Sequence, residues 1–329
     1  MATVVLVHGI AQEQSGADEL ERAWVPALAG GVRATRGPGA DECADALLSG
    51  LDHRGDLDVR MAFYGDLFLD RHAQGADDSI AGLTGEQQAF ADELATEWLT
   101  RAATRVGHPD QRQAAHLLAA LTPTPLDQGL PRRTGGACIR MAARIPWLAV
   151  GGMSFAESFL RRSLRQVTQY LTDPEVRAQA HSRLDARITA DTRVVVAHSL
   201  GSVVAYEYLA AHPDKRVDLL VTLGSPLGLR TIVYDRLSAR GFPSSVDRWV
   251  NVVDRDDLVA CEWDLDPVFG EGERRVTNVA TLDNGARPHD ARFYLSKAQT
   301  GGPVLESLHP VVTASGAAHG PPRRELRGR

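Results

Sequence analysis

Residues 194–209, VVVAHSLGSVVAYEYL, carry an apolar run straight into a serine corner and out again. The valines and Ala197 predict a buried strand over 193–197, and the stretch 202–211 predicts a helix. Only His198, Ser199, Leu200 and Gly201 remain to turn the chain, so the serine stands at a sharp strand-to-helix corner. Such a corner crowds its own backbone and needs small residues two before and two after the serine. Ala197 and Gly201 meet that need. A serine hydroxyl is a poor nucleophile unless it has a base, access to a substrate and donors for the oxyanion it creates. The corner pushes the hydroxyl out beyond the sheet, and the first free N–H groups of the following helix lie beside it.

Downstream, strand and helix alternate. Strands are predicted at 217–224, 248–254 and 274–280, with helices at 229–239 and from Asp290 onward. Upstream, Val4–Val7 is a continuous apolar run ending at His8-Gly9, the pattern of a strand buried on both faces of a parallel sheet. Residues 17–34 have a helical period with Pro26 as a break, and 55–68 alternates as a second strand ending near Tyr64-Gly65. Two helical stretches, 83–121 and 153–188, follow, the second with a stop and restart at 171–176. Residues 121–136 between them have loop chemistry. The expected fold is α/β, a mostly parallel sheet with helices on both faces.

The corner AHSLGS after a strand, with VLVHGI on the first strand, resembles the α/β-hydrolase superfamily in its serine lipase and esterase branch. The motif there is G-x-S-x-G, and Ala197 replaces its first glycine. The resemblance implies Ser199 as nucleophile, the backbone N–H groups of Leu200 and Ile10 as the oxyanion hole, and the chain order nucleophile, acid, base. His8 and His198 are read as packing or loop-orienting groups. Ser225, at the end of the strand after the nucleophile helix, is expected to cap or line the cleft. Residues 70–190, between the second strand and the nucleophile strand, become a mostly helical cap insertion, and 1–69 with 191–315 the core. An acyl chain would suit that cap if the apolar stretch 145–159 faced inward, although packing into the core explains the same residues. Residues 316–329 read as a flexible basic tail.

Three carboxylates, Asp254, Asp256 and Asp257, follow the strand WVNVV and are the candidate acids. Asp257 is preferred: Leu258 and Val259 can anchor its turn on the core, Asp254 lies too close to the sheet, and Asp256 faces the other way if the chain is still extended. Either neighbour remains an alternative. His289, in a turn-rich loop after the last strand, is the expected base. His309, inside the last helical region, is its rival.

With 329 residues, a net charge of −6 and scattered arginines, the chain gives no reason to expect nucleic acid. Its three cysteines have no C-x-x-C spacing, so a reducing, cytoplasmic location is expected. Transient contact with a membrane surface is compatible with a lipid ester substrate, but no stretch is long enough to span a bilayer. Glu262, Asp264 and Asp266 could form a calcium patch with the three aspartates, but the spacing is not that of an EF-hand. No metal and no cofactor is implied: no phosphate-loop motif is present, and 28–39 reads as a flexible glycine loop. The expectation is a cofactor-free serine hydrolase cleaving carboxylic esters. A thioesterase or acyltransferase, or a catalytically silent ligand- or partner-binding member of the fold, is the alternative.

Overall fold

The computed structural model describes residues 2–51, 57–69, 83–104, 111–121, 153–260 and 262–318. Expectations for the 122–136 loop, the apolar stretch at 145–152, Cys138, Cys261 and the tail from 319 lie outside these. Six strands, β1 (Val4–Val7), β2 (Val59–Ala62), β3 (Val194–His198), β4 (Val217–Leu223), β5 (Val246–Asp254) and β6 (Val276–Leu282), form one sheet in the order β2-β1-β3-β4-β5-β6. Every pairing is parallel.

The apolar runs are continuous because both faces are covered. Alternate residues divide cleanly: Val5, Val7, Val195, Ala197, Leu220 and Trp249 point to one core, and Val4, Leu6, Val194, Val196, Leu219 and Val221 to the other. The second core is closed by α1 (Ala17–Ala34), α2 (Ala40–Leu51) and α10 (Ala298–Ala318). The first is closed by α7 (Leu200–Ala211) with α3 (Gly85–Thr104), α5 (Met153–Thr172) and α6 (Pro174–Asp185). Two short helices, α8 (Asp266–Phe269) and α9 (Ala291–Leu295), flank β6, and α4 (Gln111–Leu121) packs on α3. Residues Leu200 to Leu209 of α7 are all buried, since the helix has the sheet on one side and α6 on another.

The insertion is fastened to the sheet-bearing part through polar contacts. Tyr170 of α5 donates to the wholly buried Glu207 of α7 at 2.7 Å, and Glu207 also accepts from the Ser238 N–H and hydroxyl. Arg101 of α3 pairs with Glu262 at 3.4 Å. On the opposite face, Gly31 of α1 and Gly301 of α10 let the two helix backbones touch. A methyl on Gly31 would overlap the Leu295 carbonyl, and one on Gly301 would overlap the Gly31 backbone.

Five expectations are corrected. Pro26 does not break α1: it lies on the exposed side, where the carbonyl that loses its helix donor can bond water. Residues 28–39 are no flexible loop, because their first part belongs to α1 and Gly39, at φ +74°, makes a tight turn into α2, a helix the sequence reading lacked. The strand expected over 55–68 is limited to Val59–Ala62. It is buried throughout rather than alternating, and a single 3-10 turn follows at Gly65–Phe68. The helix expected at 229–239 is a series of turns with one 3-10 turn, Tyr234–Arg236. Leu229, Ile232, Val233 and Leu237 do bury at helical spacing, but the β-branched run Thr231-Ile232-Val233 lowers helix propensity and the hydrogen bonds stay irregular. The last helical region is two helices, and α10 runs to Ala318, past the boundary expected at 315. Among the described residues, no helix is long and apolar enough to cross a membrane.

Candidate active site

Because all six strands are parallel, the loops after β1, β3, β5 and β6 open on the same edge of the sheet. Ser199, between β3 and α7, has φ 54° and ψ −128°, a region a non-glycine residue occupies only when its surroundings hold it there. Two glycines do so. A Cβ on Gly201 would overlap the His8 carbonyl, and one on Gly9 would lie 2.6 Å from the Ser199 Cβ. The corner is thereby pressed against the loop after β1.

Ser199 Oγ lies 3.0 Å from His289 Nε2, and His289 Nδ1 lies 2.7 Å from Asp257 Oδ2. An ionised carboxylate only accepts, which assigns the proton to Nδ1 and leaves the Nε2 lone pair facing the serine hydroxyl. Asp257 is fully buried. Its Oδ2 accepts a second bond from the Tyr294 hydroxyl at 2.8 Å and its Oδ1 one from the Val259 N–H at 2.9 Å. Burial and the adjacent Asp257 charge push the Tyr294 phenol well above its ordinary pKa, so it stays a donor. Gly224, at φ 53°, leaves room for this cluster: a Cβ there would meet Asp257 Oδ2 at 2.6 Å.

The three candidate aspartates do different things. Asp254 ends β5 and organises the neighbouring loops, accepting from the Asp256 N–H at 2.8 Å and the Asn284 N–H at 2.5 Å. Asn284 Nδ2 in turn donates to the Pro288 carbonyl, next to His289. Burial raises the Asp254 pKa despite those bonds. The Asp256 side is exposed. His309 packs on Gly39 in the turn between α1 and α2. Ser199, His289 and Asp257 are therefore brought together, whereas Asp254, Asp256 and His309 are not part of that chain of contacts.

His8 and His198 brace loops. His8 Nδ1 lies 2.7 Å from the Gly9 carbonyl, its Nε2 accepts from the Tyr64 N–H at 3.0 Å, and burial lowers its pKa to about 4. His198 donates from Nε2 to the His289 carbonyl at 3.0 Å, fixing the loop that carries His289. Burial first, and then the nearby His289, hold the His198 pKa well below the ordinary value, so the ring is neutral. Ser225 accepts from the Leu227 N–H and meets the Ser202 hydroxyl at 2.7 Å, capping the turn after β4.

The Leu200 N–H is the first of α7 and has no acceptor within its own helix. Ile10 follows β1, and next to it Ala11 adopts φ 58° with its N–H donated to Gln166 Oε1 at 2.8 Å. Glu262, Asp264 and Asp266 face separate partners: Arg101, the Asn278 amide and Arg275 respectively.

One expectation of the corner is corrected. Ser199 is only 1% exposed, so its hydroxyl is turned toward His289 under cover instead of standing in solvent. Tyr294, Asn284 and Gln166 were not found by sequence reasoning, whereas His198 was read as loop-orienting and does orient the His289 loop. Each contacts a partner distant in the chain, and only Gly224, at the end of a strand, left a local signal.

A serine hydroxyl bonded to an imidazole whose far nitrogen is held by a buried carboxylate can lose its proton to that imidazole as the oxygen attacks an electrophile. Comparison with protein-family models, with curated proteins and with solved structures finds no match to this chain.

Proposed function

We propose that the protein is a serine hydrolase of the α/β-hydrolase type, acting on carboxylic esters in the manner of a lipase or carboxylesterase. The observation that carries this is the series Ser199 Oγ, His289, Asp257 at 3.0 and 2.7 Å, built on a corner whose serine holds φ 54°. A protein that only bound a ligand would have no use for that alignment.

In this reading Ser199 Oγ attacks the ester carbonyl while His289 Nε2 takes its proton. Asp257 keeps the imidazole in the accepting tautomer and stabilises the imidazolium. The N–H groups of Leu200 and Ile10 bind the oxyanion, at the positive end of α7. Collapse of the tetrahedral species breaks the bond to the alcohol, which takes the proton from His289. Water, deprotonated by the same nitrogen, then releases the acid. The described part of 70–190 is assigned as the cap over this edge of the sheet. The chemistry needs no cofactor.

Labelling with a fluorophosphonate probe tests the reading, since the probe phosphonylates only an activated serine. Label on the native protein, absent from Ser199→Ala, is expected; an unlabelled native protein would sink it and favour a silent binding protein. A series of p-nitrophenyl esters of rising chain length, with matching thioesters, then separates esterase from thioesterase.

A further inference from the structure

We propose that Gln166, on α5 of the insertion, is the positioning residue for the loop that carries the Ile10 N–H. This rests on the hydrolase reading above. The loop from His8 to Glu13 is pinned on three sides. Tyr64 holds its start through the His8 carbonyl at 2.7 Å, and Ser199 packs on Gly9. Gln166 grips its far side at two points: Oε1 accepts the Ala11 N–H at 2.8 Å and Nε2 donates to Glu13 Oε2 at 2.7 Å. Arg162, one turn earlier on α5, meets the other Glu13 oxygen at 3.3 Å.

Gln166 is 4% exposed and Glu13 7%, so little water can replace these bonds. Ala11 sits at φ 58°, a conformation a free alanine leaves for the right-handed or extended regions. The Ala11 N–H bond to Gln166 holds that rotation and fixes the Ile10–Ala11 peptide unit, which is joined through the Ile10 Cα to the unit that carries the Ile10 N–H. Releasing Ala11 would therefore let the Ile10 N–H turn away from the oxyanion. The donor pair would then lose a member while substrate contacts elsewhere stayed intact. A residue 155 positions away in the chain thus completes the site.

A charge swap makes the test selective. Gln166→Leu should lower kcat by about thirtyfold with KM changed less than about twofold, a loss smaller than deleting an oxyanion donor outright. Gln166→Glu keeps the acceptor for Ala11 but sets a second carboxylate against Glu13, and should lose a similar factor. The double variant Gln166→Glu with Glu13→Gln restores a donor facing an acceptor and should recover to within about threefold of native kcat. The rate of phosphonylation of Ser199 by the fluorophosphonate should follow the same order. Native label with an unchanged kcat in Gln166→Leu, or a loss that appears in KM instead, overturns the inference and leaves the hydrolase reading standing. Should Gln166→Leu fail to fold, the swap decides: a folded double variant no faster than the folded Gln166→Glu single also overturns it. A native protein that takes no label removes both.

Discussion

The corner that presents Ser199 and the loop that presents His289 meet at 3.0 Å but are made in opposite ways. The corner is local. Its strand, its two flanking small residues and the helix after it lie within residues 194–211, and the close backbone approach that admits it is to the end of the adjacent β1, where Gly201 meets Val7 and His8 and Gly9 meets Ser199. The histidine loop has no such local code. It is held by the His198 bond to its carbonyl, by Asp254 through Asn284 to Pro288, and by Asp257, itself bonded by the Tyr294 hydroxyl, against the imidazole. Ser199 is thus set by short-range sterics and His289 by long-range polar bonds. Substitutions should sort accordingly.

The largest effect is expected where the two regions meet, at Ser199 and His289. Ser199→Ala and His289→Ala should each lower ester turnover by about a millionfold, because groups that act as a unit lose nearly everything singly. Their circular dichroism should stay native, and His309→Ala should keep turnover. An active Ser199→Ala, or equal losses from the two histidines, would break the assignment. Next comes Asp257→Asn, expected to lower kcat by about ten-thousandfold by favouring the wrong imidazole tautomer. If that variant stays near native while a neighbouring aspartate fails, the acid is reassigned.

A third expectation concerns stability. His8 has a folded pKa of about 4 against 6.5 when unfolded, so below pH 6.5 the unfolded chain binds a proton that the native one refuses. Stability is therefore intact above 6.5 and falls as pH drops toward 4, by about 3 kcal/mol from this residue. His198, also lowered, acts in the same direction, and Asp254, whose pKa is raised, opposes both. Urea unfolding at pH 7 and pH 4.5 should show the loss, and a flat profile would mean that neither ring is held neutral. The smallest activity effects separate the remaining aspartates. Asp254→Asn should cost about tenfold in kcat, since the loop it organises feeds Pro288 and His289, and Asp256→Asn less than about twofold. Equal values would show that the long-range bonds do not position the base.

The same division explains what the sequence disclosed. Val4–Val7 and Val194–Ala197 declare strands covered on both faces, because an unbroken apolar run has no other use at that length. The corner is legible for the same local reason. Asp257 could be favoured through Leu258 and Val259, which do anchor its turn, both being buried. By contrast, Gln166 and Tyr294 look like any polar or aromatic residue on a helix, since what matters is a partner far away in the chain. The turns at 229–239 misled because apolar spacing reports burial and leaves open whether the backbone closes its hydrogen bonds. Pro26 misled because its cost depends on which side of α1 it faces.

The glycine contact between α1 and α10 bears on how the site behaves on warming. α1 follows the loop that holds Ile10, and α10 follows the segment that holds His289. Gly31 and Gly301 bring these helices together main chain to main chain, with no side-chain layer between them to soften or change rotamer. The spacing of the two helices is thereby referred to the hard radii of backbone atoms, which hardly change with temperature. Thermal expansion of the apolar core can move the two helices as a unit, but the distance between them is set by a contact that does not dilate.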